Sequence, residues 1–291
     1  MTGVIVAVPD SRATGRVIGT FLALLCLFSA AAYALILHVQ KQPPMLDRLL
    51  MLCPGVAALA TCGLHRLPLA TLGWRWPATR WLMFGYVVPP LYAFPVYAAA
   101  WSFIAGSLMP HTFVNATAAQ YELESQPDLA TALVGVPLLA TVGVVATVTW
   151  ALGEELGWRG FLLPRLTEHF GFTGAALASG LIWAVWHYPA LLWGNYNAGT
   201  NPVYAIACFS CMVVAMSFVL GWLRLHSASV WPCALLHASH NVVIQGIFDP
   251  MTSNVGGSRL VTTEFGIGLA LTMAITAAIV IGRWPVPKRQ T

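Results

Sequence analysis

The chain has 291 residues, of which 14 are Lys or Arg and 10 are Asp or Glu, a formal net charge of +4. Only 8% of the residues are charged and 58% are hydrophobic, with a mean hydropathy of +0.74. An ordinary soluble domain, with roughly 25% charged residues, and a disordered chain are both excluded. The long unbroken apolar runs exclude an outer-membrane barrel, whose strands alternate. No basic cluster marks a nucleic-acid partner. The composition predicts an all-α, polytopic integral membrane protein with the lipid bilayer as its surroundings.

In chain order, the first apolar run is Val17–Val39. Arg12 and Arg16 precede it, and Ala32-Tyr33-Ala34 resembles a cleavage site. Its 23 residues nevertheless exceed the core of a signal peptide, so a retained first span is expected. Further spans are expected at Leu46–Leu64, Trp81–Ile104, Leu129–Leu152, Gly174–Trp193, Val203–Leu223, Trp231–Phe248 and Phe265–Ile281, about eight transmembrane helices in all. Pro89, Pro90, Pro95 and Pro137 suggest kinks.

No linker or internal repeat divides the chain. It reads as one membrane domain over 1–291: N-terminal helices with three spans (1–128), core helices carrying three polar motifs (129–248), and a last span with its tail (249–291). Eight spans place both termini on one side. That side collects eleven of the fourteen basic residues, from Arg12 and Arg16 to Lys288 and Arg289, whereas Lys41, Arg48 and Arg259 fall on the other. Cytoplasmic termini are therefore expected, with Glu122, Glu124 and Asp128 in an external loop. Of the six cysteines, only Cys208 and Cys211 have the spacing of a zinc or redox pair, and they lie in an apolar helix without a second pair.

The three polar motifs lie in or beside apolar helices, where an ionisable side chain is disfavoured by about 2.5–3.5 kcal/mol and is a functional candidate by default. The first is Gly153-Glu154-Glu155-Leu156-Gly157-Trp158-Arg159. Glu155 and Arg159 are one turn apart, in the favourable order for an ion pair. Glu154 is rotated about 100° away and lacks a cation at that spacing. One structural and one free carboxylate are expected, the bland reading being two glutamates in interfacial water. The second motif is Trp183-Ala184-Val185-Trp186-His187, where the bland reading is a satisfied core histidine. The third is His237-Ala238-Ser239-His240-Asn241. His237 and Asn241 share a helix face and His240 borders it; here the alternative is interhelical hydrogen bonding.

Glu154 lies 17 residues before Gly171 and His187 lies 16 after it. Two antiparallel helices meeting at Gly171-Phe172-Thr173-Gly174 bring both side chains to one depth. A carboxylate and a histidine so placed can activate water, and a second histidine with an asparagine amide can stabilise an oxyanion. The expected cavity has aromatic walls of Trp158, Trp183 and Trp186. No G-x-S-x-G or H-E-x-x-H pattern is present. A metal held by Glu154, His187, His237 and His240 stays formally open, but none is expected, because the pair can act on water directly and Asn241 is a poor zinc ligand. No cofactor is expected.

These ordered motifs resemble the CPBP family, the Rce1-type CAAX prenyl proteases and the bacterial "abortive infection" membrane proteases. The resemblance covers Thr149 to Gln245, and Leu72-Gly73-Trp74-Arg75 is similar to a stretch often found before that core. It implies a glutamate-type intramembrane endopeptidase acting on a peptide or membrane-protein substrate. Glu154 is the implied water-activating residue and His187 its partner. His237 and Asn241 are the implied oxyanion donors, with Glu155 and Arg159 as support. Trp183 stands where the family usually has Phe, and His240 is an addition that the motif does not require. The short loops and the Ala- and Trp-rich composition suggest the bacterial cytoplasmic membrane. A prenylated substrate does not follow, and the composition says nothing of oligomeric state. Two other readings stay open: a non-catalytic immunity or scaffold protein that binds a peptide, and a proton-coupled transporter. The second is disfavoured because the polar residues cluster in one half and no inverted repeat is visible.

Overall fold

The computed structural model describes residues 11–38, 44–122, 127–194 and 196–286. Val39, Lys41, Glu124, Lys288 and Arg289 lie outside the described residues. The described chain is all-α and contains no strand, only an isolated bridge between Leu108 and Thr252. Its principal helices are α1 (Ser11–His38), α2 (Pro44–Leu64), α3 (Thr79–Phe103), α4 (Pro110–Gln120), α5 (Val144–Glu155), α6 (Leu163–Trp193), α7 (Pro202–Ser227), α8 (Trp231–Asn241) and α9 (Ile267–Arg283). Each expected span falls in helical backbone to within a residue or two. Among the described residues, four stretches are long and apolar enough to cross a membrane: Thr14–Ile36, Thr79–Phe103, Asp128–Trp193 and Pro202–Ser227. The Asp128–Trp193 stretch covers two of the expected spans, and the apolar helices Arg48–Leu64 and Ile267–Arg283 are shorter. Leu27, Leu91, Phe94 and Val145 project outward, as lipid-facing residues do. The protein is an integral membrane protein.

Backbone exceptions shape the core. α3 stays helical through Pro89, Pro90 and Pro95. The clear break is Gly171, inside α6, with φ 65° and ψ −179°. That conformation is open to glycine and closed to side chains with a Cβ, and there the chain turns back as the sequence predicts. The carboxylate motif is drawn against α2 by small residues. A Cβ on Gly157 would sit 2.4 Å from the Pro54 side chain, and one on Gly153 would sit 2.7 Å from Leu52. A Cβ on Gly55 of α2 would in turn sit 2.6 Å from the Gly153 carbonyl oxygen. Close backbone approach of this kind is the usual basis of helix packing where lipid supplies no hydrophobic drive.

The first motif straddles a point where α geometry gives way to π geometry, and the third ends at one. Glu155 closes α5 before the π turns of Leu156–Leu162, and Asn241 closes α8 before those of Val242–Phe248. Such π segments are frequent at functional sites because they shift the phase of the side chains that follow. The Leu72-Gly73-Trp74-Arg75 stretch packs beneath this core. Gly73 has φ 86° and lies against the Arg224 guanidinium, and its carbonyl accepts from the Val230 N–H at 2.9 Å.

Candidate active site

Glu154 and Glu155 are adjacent, both buried, and face different partners. Glu155 Oε1 accepts from Arg159 Nη1 at 3.0 Å and from His237 Nδ1 at 3.0 Å. Arg159 continues to Ser217 Oγ at 2.8 Å, and its guanidinium carbon lies 4.2 Å from the centroid of the Trp183 ring. The expected ion pair is present and has gained a histidine. It is not fully satisfied: among the described residues Glu155 Oε2 and Arg159 Nε have no hydrogen-bond partner.

Glu154 has no cation one turn on, as expected, but the residue at that spacing is not idle. Trp158 Nε1 donates to Glu154 Oε2 at 3.3 Å, and Trp183 Nε1 donates to the same oxygen at 2.8 Å. Oε1 receives no hydrogen bond from the described residues.

A cavity of about 390 Å³ opens beside this carboxylate, within the range of small-molecule and peptide side-chain pockets. Glu154, His187, His237 and Asn241 all line it, as does His240. The hairpin at Gly171 thus brings the two halves of the pair to one space. His187 Nδ1 lies 2.9 Å from the Trp183 carbonyl oxygen. A carbonyl can only accept, so Nδ1 carries the proton and the neutral ring keeps its lone pair on Nε2. The ring is held edge-on by Trp186, at 4.7 Å between centroids, and by Phe209, at 5.0 Å. No hydrogen bond joins His187 directly to Glu154 among the described residues. The apolar wall includes Trp183, Trp186, Phe209, Met212 and Met216. Trp158 does not line the cavity; it is fully buried behind Glu154, because its indole N–H is turned onto the carboxylate.

The same cavity holds a group that the motifs do not indicate. Glu264 precedes α9 and lines the same space. Its Oε1 accepts from His240 Nε2 at 2.5 Å, and its Oε2 accepts from Tyr196 at 2.6 Å and Gln245 Nε2 at 2.9 Å. His240 Nδ1 in turn meets the Tyr92 hydroxyl. Burial pushes the Glu264 carboxyl up, but the hydrogen bonds and charge of His240, with Tyr196 and Gln245, bring it down to about 2. The preceding Thr263 has φ 64°, a strained value for a β-branched residue. Its N–H is tied to Tyr97 Oη at 3.0 Å, and its Oγ1 accepts from the Phe265 N–H at 3.2 Å. The strained turn aims Glu264 inward. The only sequence signal for it is an acid just before an apolar run. Among the described residues, no three His, Cys, Asp or Glu side chains converge as a metal site would require.

The family model for type II CAAX prenyl endopeptidases, Rce1-like, matches residues 136–243. CAAX prenyl protease 2 of Methanococcus maripaludis is 27% identical over 93 residues, which are 31% of this chain and 32% of that protein. The matched region is thus about a third of the relative's length. The family-model match, 136–243, includes every motif residue from Glu154 to Asn241. Both matches agree with the resemblance read from the three motifs.

Proposed function

We propose that the chain is an intramembrane endopeptidase of the CAAX-protease type, in which Glu154 and His187 activate water. The observation that carries this reading is a buried carboxylate with one oxygen tied down and the other left open, on the same cavity as His187, His237 and Asn241. A water between Glu154 Oε1 and His187 Nε2 gives up its proton to the carboxylate as its oxygen attacks the peptide carbonyl carbon. The carbonyl oxygen becomes an oxyanion, met by the Asn241 amide and by His237 Nε2–H. His237 already directs Nδ1–H at Glu155, so a second N–H requires the imidazolium, with Glu155 as counterion. The proton held by Glu154 then passes to the leaving nitrogen as the C–N bond breaks.

The apolar walls suit a hydrophobic peptide or a membrane-protein segment. The core helices 129–248 hold the catalytic set, with helices 1–128 and 249–291 as its surround. The protein resides in a bacterial cytoplasmic membrane with both termini on the cytoplasmic side. The test is a peptide-library digest with purified protein, read by mass spectrometry, comparing wild type with Glu154→Ala. New termini from wild type alone support the reading. Peptide binding without cleavage by either form would favour a non-catalytic binding protein.

A further inference from the structure

Trp183 carries one polar atom that the phenylalanine usual at this motif position would lack. That atom, Nε1–H, is directed at Glu154 Oε2 at 2.8 Å, and Trp158 places a second indole N–H on the same oxygen at 3.3 Å. Both indoles are buried, at 3% and 0% exposure, and the carboxylate oxygen satisfies both N–H groups. A carboxylate can rotate about its Cγ–Cδ bond and exchange its two oxygens. Two donors converging on one oxygen stop that rotation and give the oxygens different work. The same ring lies 4.2 Å from the Arg159 guanidinium carbon, and the backbone carbonyl of Trp183 receives His187 Nδ1–H at 2.9 Å. One residue therefore touches Glu154 through its N–H, Arg159 through its face and His187 through its main chain. Of these contacts, only the N–H depends on tryptophan in particular.

We propose that Trp183 is a positioning residue: its indole N–H, seconded by that of Trp158, anchors Glu154 Oε2 so that Oε1 stands as the base facing the cavity. The catalytic consequence rests on the proposed role of Glu154, whereas the anchor itself does not.

Trp183→Phe keeps an aromatic face for Arg159 and the carbonyl for His187, and removes the donor together with part of the ring, a packing loss that the measurement per folded molecule separates out. On the peptide that wild type cleaves fastest, kcat per folded molecule should fall roughly 10- to 100-fold, the scale of a lost hydrogen bond to a charged group, with KM within about twofold. Trp158→Phe, at the longer distance, should lose about two- to fivefold. A purely packing role predicts the reverse: less folded protein and unchanged kcat in what folds. Wild-type kcat in well-folded Trp183→Phe would overturn the proposal.

A second measurement needs neither activity nor that variant. Of the 12 tryptophans, two indole ¹⁵N–¹H signals should move distinctly in Glu154→Ala protein in detergent. Trp158→Phe protein, which lacks one of the two, should show the other still responding to Glu154→Ala. If no indole signal responds, the anchor does not exist. If the signals respond but Glu154→Gln cleaves like wild type, the anchor stands and the catalytic reading fails.

Discussion

Two buried carboxylates line the cavity, and they differ in how much of their hydrogen-bonding capacity is used. Glu154 and Glu264 are almost equally buried, at 2% and 4% exposure. Glu264 has both oxygens engaged, by His240 on one side and by Tyr196 and Gln245 on the other. Glu154 has both of its donors on Oε2. Burial therefore does not distinguish Glu154, the carboxylate proposed to react, from Glu264. What differs is an open oxygen on the cavity: both Glu264 oxygens are engaged, whereas Glu154 Oε1 accepts from none of the described residues, and the proposed role of Glu154 rests on that difference. Glu155 is a third case, shared between Arg159 and His237, with its other oxygen buried and unpaired.

The contrast can be broken at four places. The largest effect is expected at the proposed pair: Glu154→Gln and His187→Ala should each lower turnover about 10²–10⁴-fold, the usual loss for a general acid or base. Both should insert and purify like wild type, as gel filtration in detergent would show. Next is Glu155→Ala, which strands Arg159 and removes the His237 partner. Breaking a buried pair destabilises by about 3–5 kcal/mol, so a clearly lower melting temperature is expected, and normal melting would mean that the pair contributes nothing.

Third, Glu264→Gln should lose about 1.5–3 kcal/mol, the worth of hydrogen bonds to a charged group, and should appear chiefly in melting. The folded carboxyl lies below its ordinary value of 4.5, at about 2. Its stabilisation is thus complete above pH 4.5 and is lost as pH falls toward 2. A melting series over that range should show this loss in wild type and not in Glu264→Gln. The smallest effect is expected at Gly157→Ala. Its new methyl meets Pro54 at 2.4 Å and should destabilise by about 1–3 kcal/mol through overpacking, detectable as a lower melting temperature.

What the sequence makes legible follows from local periodicity. Apolar runs locate the helices because each span is contiguous, and the i,i+4 spacing of Glu155 and Arg159 is enough to pair them. The equal distances of Glu154 and His187 from Gly171 place them together because one turn joins their helices. Glu264 is invisible to such reasoning: it lies outside any helix and reaches His240 only through a strained turn at Thr263. Tyr92 is 148 residues from His240 in sequence, and nothing local links them. The role of Trp158 was within reach, since it sits one turn beyond Glu154. Looking only for a cation at that position overlooks the indole as a donor, and reading Trp183 only as an aromatic wall overlooks the same atom. The π turns after Glu155 and Asn241 have no comparable signature in the pattern of apolar residues.

The central claim, that the half-bonded carboxylate does the chemistry and the fully bonded one holds the wall, is tested most directly by one comparison. Wild type, Glu154→Gln and Glu264→Gln are purified in the same detergent, and kcat is measured per folded molecule on one peptide substrate. The account predicts that Glu264→Gln stays within a few-fold of wild type while Glu154→Gln falls by about 10² or more. Equal loss in both variants, or a greater loss in Glu264→Gln, would contradict it.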